Sequence, residues 1–368
     1  MGKINILYFA SDYIIGLSNT LSDQAKSIAE LDSVNLLCIG GDKEQEAGLY
    51  KKYESLQIPL LRVKGLDEHK EFAKLVKIIY QVIVENDIQI LHIHNNWQLA
   101  IASYIKVFKN NKLKIVYSIH GYRHNNKFKA FFAKIIIGFF LSMFADIVFA
   151  GSTELKKALP FIRRKCKLLT QGVEEDLFQI NAPAQVSANK NIVFVGQFRE
   201  GKNQDKLIKS FYNYSQQTGD FNYTLYLAGK GHLKEACVKL TEKLNLTNNV
   251  VFTGQLTRKE MFDLLTSCQL AVISTNFETF GYCIAEPYVA GLCVITKRTG
   301  IAEDIIEHGK SGLLYDKFSE LDELLVNYLP KVDKLTEMAQ VSFKNRDVLR
   351  WSEITKEYEL MIKNLLNK

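Results

Sequence analysis

The sequence predicts an α/β protein made of two doubly wound domains, each around a parallel sheet. Three observations carry this. Apolar runs of five to seven residues recur along the chain, separated by stretches with helical spacing. The runs are apolar throughout, where a strand with one wet face would alternate, so each strand is covered on both sides. At 368 residues, the chain is too long for one ordinary core, and domains of about 100–200 residues put two in it.

Taken in order, strands are expected near residues 3–10, 34–39, 88–94, 114–119 and 146–150. The first lies in "MGKINILYFASD", an apolar run stopped by Ser11 and Asp12, which reads as a strand and lacks the apolar region and cleavage site of a signal peptide. The polar segment "NAPAQVSANKN", Asn181 to Asn191, holds a proline and no periodicity and reads as a linker. Five more strands are expected near 191–196, 223–228, 250–253, 270–274 and 292–296. The domains are therefore placed at 1–183 and 184–351, with a helix over about 352–368 expected to pack back on the first. In an open parallel sheet, ligands bind beyond the carboxyl ends of the strands, so the residues just after each strand are where chemistry is sought.

Composition narrows the class. Six cysteines are scattered with no C-x-x-C pair and sit mostly inside apolar runs, which argues against a disulfide framework or a thiolate metal site and for a reducing cytoplasm. The net charge of +7 is uneven: 24 basic against 18 acidic residues up to Asn181, then 23 against 22. Within the first half, Ile88 to Ala145 carries eight basic residues and no Asp or Glu.

The stretch "NIVFVGQFREGKNQDKLIKSF", Asn191 to Phe211, resembles a nucleotide triphosphatase loop. A true one follows Gly-Lys with Ser or Thr to hold magnesium, and here Asn203 stands instead. What remains is a glycine turn and Lys202 at a helix start, where free amides and the helix dipole favour an anion. "LYLAGKGHLKE" offers Gly229 and Gly231 after a strand, but Lys234 occupies the third glycine position of a dinucleotide fingerprint. In "QLAVISTNFETFGYCIAEPYVAGLCVITKRT", Glu278 and Glu286 are eight residues apart, and one continuous helix would turn them about 80° from each other. Pro287 suits a helix's first turn, which places the helix start around Ile284, Glu278 in the preceding loop and Glu286 in the opening turn. A carboxylate there accepts paired sugar hydroxyls, while the amides of Thr279, Phe280 and Gly281 suit a phosphate. The plainer reading of Glu286 is a favourable charge at a helix N-terminus, of Glu278 a solvated loop residue, and of Lys202 a surface lysine.

With these residues in place, the sequence resembles glycosyltransferase family 4, retaining nucleotide-sugar transferases of the GT-B fold, in which two Rossmann-like domains face each other across a cleft. The family's phosphate element and its paired-glutamate motif stand here as Gly196 to Lys202 and Glu278 to Glu286, followed by Gly291, Thr299-Gly300 and a "GKSGLLY" turn at Gly309 to Tyr315. "QGVEEDLF" (Gln171 to Phe178), "LHIHNNW" and "YSIHGY" extend the likeness through the first half. The resemblance implies that Lys202 binds the donor diphosphate and Glu286 the ribose hydroxyls. Glu278 and the Thr279 to Gly281 amides would contact the sugar and its β-phosphate, and His120 would hydrogen-bond the sugar from the other domain. Gly16 matches the glycine loop after the first strand, and His94 and Asn95 fall on the acceptor side. Two departures stand out: Gln197 replaces the family's arginine, for which Arg199 is the substitute considered, and one glycine stands where two are usual.

The resemblance implies front-face transfer with retention, a UDP- or GDP-linked donor, and neither metal nor other cofactor. His92 and His94 share a strand face but lack a nearby carboxylate, and no His-Asp-Glu cluster has metal-ligand spacing. Other classes using the same cleft are a sugar-nucleotide epimerase, a phosphorylase or a non-catalytic nucleotide-sugar-binding module; no nucleic-acid partner is expected. Within "KFKAFFAKIIIGFFLSMFADIVFA", the run from Ile135 to Ala145 is 11 residues, short of the roughly 20 needed to cross a bilayer. It reads either as a core helix with a basic rim or as a surface resting on anionic lipid, consistent with a cytoplasmic protein peripheral to the inner membrane face and a lipid-linked glycan acceptor.

Overall fold

The computed structural model describes residues 2–10, 18–41, 47–63, 71–120, 127–158, 161–162, 164–183 and 190–367. The chain forms two compact units, Met1–Gly172 with Trp351–Lys368, and Val173–Arg350. That division lies ahead of the Asn181–Asn191 segment, of which residues 184–189 are outside the described residues.

The first unit holds β1 (Ile4–Phe9), α1 (Ser18–Ala29), β2 (Val34–Gly40), α2 (Ala47–Ser55), β3 (Leu60–Arg62), α3 (Phe72–Glu85), β4 (Ile90–Ile93), α4 (Asn96–Phe108), β5 (Lys114–Ile119), α5 (Lys127–Phe144), β6 (Ile147–Ala150), α6 (Thr153–Lys157) and β7 (Cys166–Leu168). Its seven strands run in the order β3-β2-β1-β4-β5-β6-β7 and every pairing is parallel. The unbroken apolar character of β1 follows from two-sided burial. Leu7 and Phe9 face the core under α3 and α4, while Ile4, Ile6 and Tyr8 face the core under α1 and the last helix.

The second unit repeats the plan with β8 (Asn191–Val195), α7 (Gln204–Thr218), β9 (Thr224–Ala228), α8 (Lys234–Lys243), β10 (Val250–Gly254), α9 (Arg258–Ser267), β11 (Leu270–Ile273), α10 (Tyr282–Val289), β12 (Cys293–Lys297), α11 (Ala302–Ile305), β13 (Leu313–Tyr315), α12 (Phe318–Tyr328) and α13 (Val332–Asn345). Strand order is β10-β9-β8-β11-β12-β13, again all parallel. α14 (Trp351–Leu366) then returns to the first unit, where Trp351, Ile354, Tyr358 and Ile362 are buried.

All ten expected strands form. The three that sequence periodicity omits, β3, β7 and β13, are three residues long and lie at sheet edges. Alternation cannot be read over so short a span. β13 takes the second half of the segment expected as a turn at Gly309 to Tyr315.

Pro287 corrects the expected start of α10. The helix begins at Tyr282, two residues before Ile284, and Pro287 lies at its sixth position. The missing N–H leaves the Cys283 carbonyl without its helical partner, a penalty of about 3 kcal/mol in an exposed helix, which burial of six of the eight residues offsets here. Glu286 consequently occupies the second turn.

Candidate active site

Loops at the carboxyl ends of the second sheet's central strands are pressed together at backbone distance. A Cβ on Gly229, after β9, would sit 2.2 Å from the Gly196 carbonyl oxygen after β8, and one on Gly231 would sit 2.2 Å from that of Phe198. Both glycines have positive φ, +141° and +153°, so only glycine fits on either count. These are the two glycines of the incomplete dinucleotide fingerprint, and their role is to let one backbone lie against another. Gly300, after β12, approaches Phe280 in the same way: its φ is +57°, a Cβ would lie 2.2 Å from the Phe280 carbonyl oxygen, and the Ile301 amide donates to that oxygen at 2.7 Å.

The loops after β8 and β11 are also laced by hydrogen bonds. The Asn276 amide donates to the Gly201 carbonyl (2.7 Å), Ser274 Oγ donates to the Lys202 carbonyl (2.7 Å), and Asn203 Nδ2 donates to the Ser274 carbonyl (2.8 Å). Gly201 and Asn203 are both left-handed, with φ of +87° and +54°. Asparagine and glycine are the residues that tolerate this. The resulting turn presents Lys202 inward just before α7.

Lys202 is buried and its ammonium pairs with the Glu278 carboxylate. Burial works against the charge; the Cys283 and Glu278 side chains favour it and Arg199 opposes it, and the balance holds Lys202 above the ordinary lysine range. Burial keeps the Cys283 thiol protonated far above neutral pH, so Glu278 is the charged partner that matters there. Cys283 Sγ points at Glu278 Oε1 from 3.6 Å, and the Glu278 amide donates to Thr299 Oγ1 at 2.8 Å. Glu278 therefore lies deeper than a solvated loop residue. Gly281, with φ +104°, caps α10, so the first-turn amides follow directly on the Glu278 loop. Arg199 is half-buried and its charge acts on Lys202, whereas Gln197 is exposed. The site thus offers two cations, a carboxylate and helix-start amides, an arrangement suited to a diphosphate and the group it carries.

Glu286 faces a different neighbourhood. Burial, then the Glu174 carboxylate, push its pKa up to about 8, with Arg258 pulling the other way. Arg258 is itself paired with Glu174 and lies 3.3 Å from Asp176. Glu286 therefore carries a proton through much of the neutral range, beyond what a favourable charge at a helix start requires.

In the first unit, His92, His94 and His120 line the ends of β4 and β5. His92 Nε2 meets Ser118 Oγ at 2.8 Å and its Nδ1 meets Tyr358 Oη at 3.2 Å; His94 Nδ1 meets His120 Nε2 at 3.0 Å. Burial lowers the pKa of His92 to about 3 and of His120 to about 4, with a further push on His92 from His120, and puts His94 well below the ordinary range. All three are neutral imidazoles at physiological pH. Among the described residues no cluster of three His, Cys, Asp or Glu is arranged to hold a metal ion. Asn95 accepts from the Gln98 amide at 3.1 Å and caps α4. Gly16 lies outside the described residues. Sequence reasoning gave no site role to Cys283, Asn203, Gln171 or Tyr358: Asn203 and Gln171 were noted only as members of motifs, and Cys283 and Tyr358 belong to no spacing pattern that could have flagged them.

Residues 178–340 match the family model of the glycosyl transferases group 1. The matched span is a little under half of the chain. It contains Gly196, Arg199, Lys202, Glu278 to Gly281 and Glu286, while His94 and His120 fall outside it. Over 252 residues, 67% of this chain and 69% of the relative, the sequence is 26% identical to an uncharacterized glycosyltransferase, YqgM, of Bacillus subtilis (strain 168). Two solved structures show the same fold over nearly the whole length. One is a glycosyltransferase of Rickettsia africae ESF-5 (TM-score 0.78, 15% identity, 100% of this chain and 99% of that one); the other is the Anabaena protein Alr3699/HepE in complex with UDP (TM-score 0.78, 19%, 98% and 100%). The fold is that of the GT-B glycosyltransferases.

Proposed function

We propose that this chain transfers a sugar from a nucleotide diphosphate donor to a glycan acceptor with retention of anomeric configuration, and that the acceptor is a lipid-linked bacterial surface glycan. The observation that carries the donor half is the buried Lys202–Glu278 pair, fixed by laced loops beside the start of α10. A diphosphate entering here meets Lys202, Arg199 and the Phe280 and Gly281 amides, which stabilise charge as it grows on the leaving phosphate. Glu278 then turns to the sugar, and Glu286 holds the ribose hydroxyls. A leaving phosphate oxygen takes the acceptor proton, and no step is routed through a metal. Because the Anabaena structure holds UDP, a uridine donor is the first to test. Calorimetric titration of UDP and GDP distinguishes the bases. Binding of neither by the wild type, or unchanged turnover in Glu278→Ala, would overturn the reading.

The acceptor half rests on α5. Leu141, Ile137 and Phe144 pack inward, but Phe132, Ile136, Phe139, Phe140 and Met143 are 46–56% exposed and share one face by their spacing. No helix among the described residues is long and apolar enough to cross a membrane. With the acid-free span Ile88–Ala145 around it, this face suits a bilayer surface carrying anionic lipid. Vesicles of phosphatidylglycerol should float the protein at low salt, and vesicles of phosphatidylcholine alone should not. Equal behaviour on both refutes the docking.

A further inference from the structure

Three groups in the first unit share hydrogen bonds whose directions fix one another. Gln171 Nε2 lies 3.4 Å from His120 Nδ1. An amide nitrogen only donates, so Nδ1 of a neutral His120 accepts and its proton sits on Nε2. That nitrogen is 3.0 Å from His94 Nδ1, which must then accept, leaving the proton of neutral His94 on Nε2. His94 is 3% exposed, and its Nε2 has no hydrogen-bond partner among the described residues. The low pKa of both rings keeps them neutral, as this ordering requires.

A buried N–H without an acceptor is rare in folded proteins and costly. A flip of the Gln171 amide would reverse the chain and turn His94 Nε2 into a lone-pair acceptor instead. Gln171 lies beside Gly151 at the end of β6, and is itself 8% exposed.

We propose that Gln171 is a positioning residue which, through His120, orients His94 as a hydrogen-bond donor to a ligand oxygen. The ligand class is one offering a hydroxyl or other neutral oxygen acceptor. That this oxygen belongs to the glycan acceptor rests on the transferase reading; the order of protons does not.

The wild-type protein tests the order directly. Full-length chain labelled with ¹⁵N-histidine, studied without ligand at neutral pH by long-range proton–nitrogen correlation, should show His94 and His120 both as the Nε2–H tautomer, the signals assigned with His94→Gln and His120→Gln. An Nδ1–H tautomer or an imidazolium at either ring overturns the proposal. Gln171→Glu, whose carboxylate only accepts, should switch both rings to Nδ1–H, a change that loss of packing alone would not produce. In turnover, His94→Phe should raise the acceptor KM about tenfold, the scale of one lost hydrogen bond, with the donor KM unchanged, and His94→Gln, which keeps an N–H, should restore most of it. An acceptor KM unmoved by His94→Phe also overturns the assignment. A wild type that transfers no sugar yet shows the expected tautomers sinks the transferase reading and leaves the proton order standing.

Discussion

Lys202 keeps its charge inside the protein because Glu278 lies beside it, and removing one of them strands the other. Breaking a buried pair from one side costs about 3–5 kcal/mol. Lys202→Met should therefore lower the urea-unfolding free energy by about that much, and Lys202→Met with Glu278→Gln should recover most of it, both variants losing transfer. A single variant as stable as the wild type would show that the pair is solvated in practice. Glu286 makes a separate prediction. Its folded pKa of about 8 lies above the ordinary 4.5, so the folded state holds the extra proton and stability from this group is complete below pH 4.5 and is lost as pH rises through 8. Glu286→Gln should flatten that slope in urea unfolding measured across the interval. These residues were visible in the sequence as a spacing of glutamates and a Gly-Lys turn. Their environment was not, because burial depends on the whole fold and the Glu174 and Arg258 neighbours come from parts of the chain that no local pattern connects.

At the scale of elements, the close loop contacts discriminate between glycines. Gly300→Ala puts a Cβ 2.2 Å from the Phe280 carbonyl oxygen at φ +57°, whereas Gly201, at φ +87°, has nothing within 4 Å of its Cβ position. Gly201→Ala should cost only the dihedral strain of about 1 kcal/mol. Gly300→Ala should cost more and also weaken nucleotide binding, since the Phe280 loop has to move; equal effects in calorimetry would contradict the packing. On α5, changing Phe139, Phe140 and Met143 together to Gln should leave the unfolding free energy within about 0.5 kcal/mol per site, as for other surface positions, while abolishing flotation. Strand existence was legible from apolar runs because two-sided burial removes alternation. Helix α5 was less legible: its charge-free run from Ile135 to Ala145 contains both the inward Ile137 and Leu141 and the outward Ile136 and Phe140. Its composition alone could not separate the two faces, and the spacing of the exposed side chains becomes visible only with the sheet in place. Pro287 misled for a related reason, since tertiary packing outweighs a local preference in a helix of eight residues.

Across the whole molecule the two units respond to acid in opposite senses. His92 and His120 have folded pKa values near 3 and 4, below the ordinary 6.5, so their contribution is present above 6.5 and is lost as pH falls towards 4. Glu286 runs the other way over 4.5 to 8. Between pH 7 and pH 5, hydrogen-exchange protection corrected for intrinsic rate should fall in peptides from β4 and β5 and hold or rise in α10; parallel changes in both would contradict the pKa directions. The likeness of the units is architectural, with the same order over six strands and a seventh, β7, added at one edge of the first sheet, but their continuity differs. Val173–Arg350 is one uninterrupted stretch, while the first unit needs Trp351–Leu366 to cover Tyr8 and His92. On a ribosome, then, the unit begun first is completed last: the later-made half can close while Tyr8 and the imidazoles still wait for α14. A nascent chain stalled before Trp351 would leave that face of the first sheet uncovered, a natural place for a chaperone to hold on.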